Sequence, residues 1–321
     1  MSSYFLSTPL QNLTELLAKS KKSKNPALYL HQNGARSILF QLEGIMRIYR
    51  FVSNKKKYNG YYKEFKALED TLGAIDYAVS MQEEFQQQPA LKKVSQVLFK
   101  GMLEEECGFL NDALASSGIA DKAHFKGLLE TVEADPKLET DTVVHGAALL
   151  IGKELTKVLK GLEKGEYDLD DLEGGLHELR RKIRWTSIYA QVLKGHVQLN
   201  KTDKVPAAYK TYCTKAIMSN PYNKMSKAPS KGLVLTIEAH HFYALSYLIG
   251  TLGELKDIGQ RCMVFEELMN AAQIKDTKAT EAYFAAQDIH PFQIPATTMD
   301  LLDQMLASEQ LFYYLIKDVM R

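Results

Sequence analysis

"ARSILFQLEGIMRIYRFV" (residues 35–52) decides how the rest of this chain is read. Ile38, Leu42, Ile45, Tyr49 and Val52 recur every three or four positions, which on a helix lines up one apolar stripe. The same period continues through "YYKEFKALEDTLGAIDYAVSMQEEF" (61–85), and a further helix is expected to begin with Pro89 at an N1 position and to stop near Ser116–Gly118. Further helices are expected over about 141–164, 170–199, 205–218, 230–270 and 296–320. Nowhere does an alternation of apolar and polar residues persist between turn signals, so no strand is expected. The fold class reads as all-α. Breaks are expected at "NKKKYNG" (54–60), "SSGIAD" (116–121), "EADPKLETD" (133–141), "KGEYDLDD" (164–171) and "MSNPYNKMSKAPSKG" (218–232).

A chain of 321 residues exceeds the size of most single simple cores, so one large domain or two lobes is expected. With 40 Lys+Arg against 39 Asp+Glu, no bulk charge draws it to nucleic acid or to a membrane surface. Any anion site must come from local clustering. Cys107, Cys213 and Cys262 are too few and too far apart for a metal knuckle or a disulfide framework, and read as buried thiols. The opening 25 residues lack a basic start followed by an apolar core, and "TVVHGAALLIGKEL" (142–155) is too short to span a bilayer. These features give the expectation of a soluble, cytoplasmic protein.

The local clustering is found in "GGLHELRRKIRW" (174–185), which gathers His177, Arg180, Arg181, Lys182 and Arg184. On a helix, Leu172, Leu176, Leu179, Ile183, Ala190, Leu193 and Val197 form the apolar stripe. At about 100° per residue, His177, Arg180 and Arg184 share a face roughly 110° from its centre, beside the core rather than opposite it. That position half shelters the side chains and suits the guanidinium fork for phosphate or carboxylate oxygens. The alternative is a solvated flank whose charges pair with Glu173 and Glu178. Glu173 and His177 also have the spacing of a helical metal-ligand pair, but no matching His/carboxylate pairs lie on other helices, and no metal is expected.

The chain also repeats itself weakly. "LEDTLGAID" (68–76) is similar to "LIGTLGELKD" (248–257), and each lies downstream of an arginine-bearing helix, with Arg36, Arg47 and Arg50 in the first half and Arg180 and Arg184 in the second. Two similar helical halves are inferred, with Arg36 falling near Arg180 when the helices at 33–53 and 170–199 are superposed.

"HELRRKIRW" followed by "LGELKD", with an arginine-bearing helix and "TLG" in an earlier half, resembles the CHAD family, the conserved histidine α-helical domain. The resemblance implies one domain over 1–321 built as two pseudo-symmetric helical bundles, with half-repeats at about 20–165 and 166–321. It implies a central basic cavity that binds inorganic polyphosphate or another phosphate-rich anion. His177, Arg180 and Arg184 match the family's second-half motif, and Lys256 and Asp257 match the basic–acid pair closing its Leu-Gly motif. Arg36, Arg47 and Arg50 fall at basic positions of the first half. There the chain departs from the family: Asn33 replaces the histidine, Phe40, Gln41 and Glu43 stand where arginines are densest, and Asp76 and Tyr77 replace the basic–acid pair.

Other features carry less. Lys224, Lys227 and Lys231 precede an expected helix start near Ser230, where a helix N-terminus attracts anions, or they form an ordinary exposed loop. His240 and His241 are adjacent and point about 100° apart on a helix, which favours core packing over a shared site. Residues 161–175 are rich in acids without the spacing of a calcium loop. Glycine-rich nucleotide loops, HExxH and GxSxG are all missing, so neither an enzyme nor a cofactor is expected. The sequence therefore supports a non-enzymatic anion-binding module, or a helical scaffold of the same fold that has lost its ligand and serves a protein partner. It gives no indication of a membrane or of sequence-specific nucleic acid.

Overall fold

The computed structural model describes residues 4–116, 119, 122–202 and 204–321. It is mostly helical, and the chain divides into two compact units. The first comprises Met1–Val143 and Leu268–Ile274, the second Val144–Glu267 and Lys275–Arg321.

The first unit runs through α1 (Tyr4–Ser20), α2 (Pro26–Gln32), α3 (Ala35–Val52), α4 (Lys55–Phe85), α5 (Lys92–Ser116), α6 (Lys122–Glu133) and the start of α7 (Thr140–Glu163). The stripe of the opening sequence lies on α3: Leu39, Leu42, Ile45, Met46 and Tyr49 are buried, while Ile38 and Val52 sit half-buried at its margin. α3 packs on α4, α4 on α5, and α1 on α3. Asn25 caps α2 by accepting from the Leu28 amide, and Pro26 follows it, where a missing N–H costs nothing. Gly34, at φ 75°, turns the chain between α2 and α3 in a backbone conformation that only glycine adopts freely. The expected break at 116–121 falls largely outside the described residues. Pro89 precedes the helix rather than opening it, since α5 begins at Lys92.

A buried carboxylate closes this unit near its end. Asp135 Oδ2 accepts from Ser53 Oγ at 2.7 Å, Tyr58 Oη at 2.7 Å and Lys57 Nζ at 3.1 Å, and Oδ1 accepts from the Lys137 amide at 3.1 Å. Burial alone raises its pKa, but the donors from Tyr58, Ser53, the Lys137 amide and Lys57 outweigh it and hold the carboxyl at about 2.

The second unit departs most from the sequence expectation. The helix expected over 170–199 is instead a π turn (Leu172–His177), then α8 (Glu178–Val192), then a strand, β1 (Val197–Asn200). Lys194 at φ 45° and Gly195 at φ 89° end the helix. The helix expected from 230 begins only at Ala239, because β2 (Leu235–Glu238) precedes it, and the 205–218 segment splits into a 3-10 turn (Ala207–Tyr212) and α9 (Lys215–Ser219). The chain is thus not purely α-helical. β1 and β2 form a small parallel sheet, with Val197 opposite Leu235 and Asn200 opposite Glu238. Four residues give too few alternations to separate a strand from a helix end, and a parallel pair is joined through a long crossover rather than a turn signal.

α10 (Ala239–Ala271), α11 (Thr277–Ala285), α12 (Ile294–Leu302), a second π turn (Asp303–Ser308) and α13 (Leu311–Val319) complete the order. α13 packs on β2, and its buried Asp318 accepts from His241 Nδ1 at 2.7 Å and from the Glu238 amide at 3.0 Å. His240 and His241 are both buried, their rings 4.2 Å apart beside Tyr209, so they serve the core. Trp185 is buried on α8 and stacked on Tyr189. Cys107 and Cys262 are buried, Cys213 is half-buried, and all three are free thiols whose pKa burial raises.

Candidate functional site

The π turn and α8 set out the basic cluster. Asp171 caps the turn by accepting from the amides of Glu173 and Gly174. Gly175 is required inside the turn, since a Cβ there would collide with the Asp168 carbonyl. His177 ends the turn, and Leu176, Leu179 and Ile183 bury their side chains on the core side. His177, Arg180, Arg181, Lys182 and Arg184 are all left half-buried.

The five basic residues divide between two sides. Arg181 donates to Glu178 from Nε at 2.9 Å, and Lys182 lies 3.6 Å from the same carboxylate and over the Tyr167 ring. These two lie on the side of Glu178 and Tyr167. Arg180 turns the other way, onto α10, where its Nε donates to the Ile249 carbonyl at 3.1 Å. Its guanidinium lies flat over Gly253: a Cβ added to that glycine would stand 2.8 Å from Nε and 2.9 Å from Nη2.

His177 registers the charges around it. Burial lowers its pKa, and Glu173 opposes that, while Lys256, Arg180 and Arg184 lower it further. Its Nδ1 is buried without a hydrogen bond among the described residues, with Glu173 Oε2 at 3.9 Å. Lys256, reaching in from α10, is 2.7 Å from Asp257 and donates to Gln260 at 2.8 Å, and Gln260 in turn donates to Glu173. The second unit therefore sets the charges of Arg180, Arg184 and Lys256 within electrostatic reach of His177, with Glu173 3.9 Å from the histidine and Asp257 2.7 Å from Lys256.

The first unit holds its predicted residues differently. Arg36 Nε donates to Glu69 Oε1 at 2.8 Å and Nη1 to Asp76 Oδ2 at 2.8 Å, with the Phe40 ring 5.5 Å from its Cζ. Its guanidinium too lies over a glycine: a Cβ on Gly73 would stand 2.8 Å from Nη2. Arg50 covers the Tyr62 ring at 4.0 Å. Arg47 acts on the buried Glu43, whose pKa is pushed up to about 7 by burial and by Glu69 and Asp70, against Arg47 and Lys66. Asn33 caps α2 and donates to the Tyr29 carbonyl. The cations of the first unit are thus interleaved with acids.

One point was missed from sequence. The glycine of each Thr-Leu-Gly is an arginine seat, and the spacing of those tripeptides was the signal that carried it. Lys224, Lys227 and Lys231 lie exposed on a loop that leads into β2 rather than into a helix N-terminus, so that candidate loses its helix. Beside the π turn, an apolar hollow of about 270 Å³ lies among Leu172, Cys262, Phe284, Phe292 and Ile294, and none of the predicted site residues lines it. Among the described residues no group of three metal-ligating side chains forms, and no helix is long and apolar enough to cross a membrane.

No family model, curated protein or solved structure matches this chain.

Proposed function

We propose that the chain is a non-enzymatic anion-binding module that holds phosphate groups on the second unit through His177, Arg180, Arg184 and Lys256. The observation behind this reading is the clustering of positive charge at one histidine: Arg180, Arg184 and Lys256 all act on the half-buried His177. Half-burial strengthens a guanidinium–phosphate contact, and two helices supplying the cations suit a ligand with several phosphoryl groups. Inorganic polyphosphate has that chemistry, and it is the ligand implied by the likeness of "HELRRKIRW" and "LGELKD" to the CHAD family. A bound polyanion reverses the field on His177, so binding takes up a proton and strengthens as pH falls.

Calorimetric titration with tripolyphosphate and longer chains at two salt concentrations tests this. Affinity should fall as salt rises, because each phosphate contact releases counterions, and the same electrostatic principle holds for any polyanion. Arg180→Ala and Arg184→Ala should each cost about 1.5–3 kcal/mol of binding, and Arg181→Ala much less. No heat at low salt, or equal losses for Arg180 and Arg181, would refute the reading. A second reading, a helical scaffold for a protein partner, is favoured by the first unit alone, where Glu69 and Asp76 already occupy Arg36.

A further inference from the structure

The apolar hollow beside the π turn lies wholly within the second unit, and its walls come from four stretches of chain: residues 169–172, one face of α10, α11 and residues 291–295. Gly259 lets them meet. A Cβ at that position would stand 2.6 Å from Leu172 Cδ1 and 3.2 Å from Ile294 Cδ1, so the bare backbone of α10 is what allows both side chains to close onto it. Cys262, Phe284 and Ile294 are buried, while Met263 and Phe292 stand exposed at the rim. Phe292 is 83% exposed, yet its ring lies 5.2 Å from that of His290, which in turn lies 5.7 Å from the Phe284 ring, so this aromatic wall is braced. An aromatic side chain left open to water at the mouth of an apolar hollow of about 270 Å³ marks a surface that a ligand covers.

The charged groups of the lining are of one sign. Asp170 and Glu266 are both exposed, and neither carboxylate has an ion pair or a hydrogen bond among the described residues. Among the described residues no lysine, arginine or histidine lines the hollow, and Arg261, next to Cys262 on α10, donates to Gln287 instead. We propose that the hollow binds a small amphiphilic amine, its hydrocarbon body against Leu172, Cys262, Phe284 and Ile294 and its ammonium group towards Asp170 and Glu266. Removal of the hydrocarbon body from water supplies the affinity, and the two carboxylates select the sign of the polar end. The Phe292 ring adds to that selection, since the face of an aromatic ring attracts a cation. A fatty acid of the same length is disfavoured, because its carboxylate meets two like charges. The hollow and the basic cluster share no lining residue, so either can bind its ligand without the other.

The test is calorimetric titration of the full chain at neutral pH with octylammonium, 1-octanol and octanoate, each below the concentration at which it aggregates. Octylammonium, protonated as a lysine amine is, should bind about tenfold more tightly than 1-octanol, and octanoate more weakly than either. Asp170→Asn combined with Glu266→Gln should remove that order and leave the affinity for 1-octanol unchanged. Phe292→Ala, at an exposed position that the fold does not need, should weaken octylammonium several-fold. No heat from octylammonium, octanoate binding as tightly as octylammonium, or the order surviving in the double variant would each overturn the proposal. Sedimentation velocity completes the test by showing whether a second copy of the chain covers the hollow instead. No association that depends on Phe292 is expected, and a dimer abolished by Phe292→Asp would overturn the amine reading.

Discussion

Gly253→Ala separates the proposed anion site from the fold. The added Cβ would stand 2.8 Å from Arg180 Nε and 2.9 Å from Nη2, closer than side-chain carbons are found. The atoms it meets are the end of a flexible side chain, so the guanidinium swings away and the backbone stays. Two effects on stability then oppose each other. Replacing a glycine in the interior of α10 by alanine favours the helix by about 1 kcal/mol. Loss of the half-exposed hydrogen bond from Arg180 Nε to the Ile249 carbonyl costs about the same, since water replaces much of it. The net change in stability should lie within about 1 kcal/mol of zero. Affinity behaves differently. With Arg180 displaced, one charge-assisted contact of about 1.5–3 kcal/mol is lost, and tripolyphosphate binding should weaken roughly 10- to 100-fold. Thermal melts followed by far-UV circular dichroism measure the first quantity and low-salt calorimetry the second. A variant that binds like the wild type, or one that loses more than about 2 kcal/mol of stability, would refute the reasoning. Gly73→Ala is the control: it pushes Arg36 off Glu69 and Asp76, so it should lower stability and leave anion affinity unchanged.

Two carboxylates of the first unit make opposite pH predictions. Asp135 releases its proton at about 2 when folded, against an ordinary 3.8, so its stabilisation is complete above pH 4 and is lost as pH falls towards 2. That loss should reach about 2 kcal/mol in urea melts across this range, and Asp135→Asn, already destabilised at neutral pH, should show a flatter acid limb; parallel limbs would count against it. Glu43 keeps its proton up to about pH 7 when folded but only to about 4.5 when unfolded. Stability should therefore fall as pH rises from 4.5 to 7, and Glu43→Gln should exceed the wild type by about 2–3 kcal/mol at pH 8. Equal stability at pH 8 would mean that Glu43 is not desolvated as described.

The helical elements were legible where the apolar period ran long. α3 and α4 bury apolar faces at the expected spacing, because three or more turns repeat the same signal, whereas α5 leaves Val97, Leu98 and Phe109 exposed. The two strands were not legible, since Val197–Asn200 and Leu235–Glu238 are four residues each and are held by a pairing distant in sequence. Of the expected stripe, Leu179, Ile183 and Ala190 are buried on α8, while Leu172 and Leu176 fall in the π turn and Val197 in β1; which of the cations would meet an acid was not legible. Glu178 reaches Arg181 and Lys182 within one turn, a local relation that sequence carries. Asp76 reaches Arg36 across forty residues, a relation that only the packing of α3 on α4 supplies. The Thr-Leu-Gly repeat marked both seats, and its physical reason appeared only when a guanidinium was found lying over each glycine.

Trp185 is the only tryptophan in the chain, and it lies buried on α8, in the second unit. Intrinsic emission excited at the red edge of indole absorption therefore observes one of the two units and is silent about the other, whereas the helical ellipticity sums both. If the units melt together, the two optical signals trace a single curve. If the first unit gives way earlier, ellipticity falls while the emission maximum stays at the wavelength of a buried indole. The chain thus carries its own spectroscopic label for the half that holds the basic cluster, with no dye to attach and no residue to change.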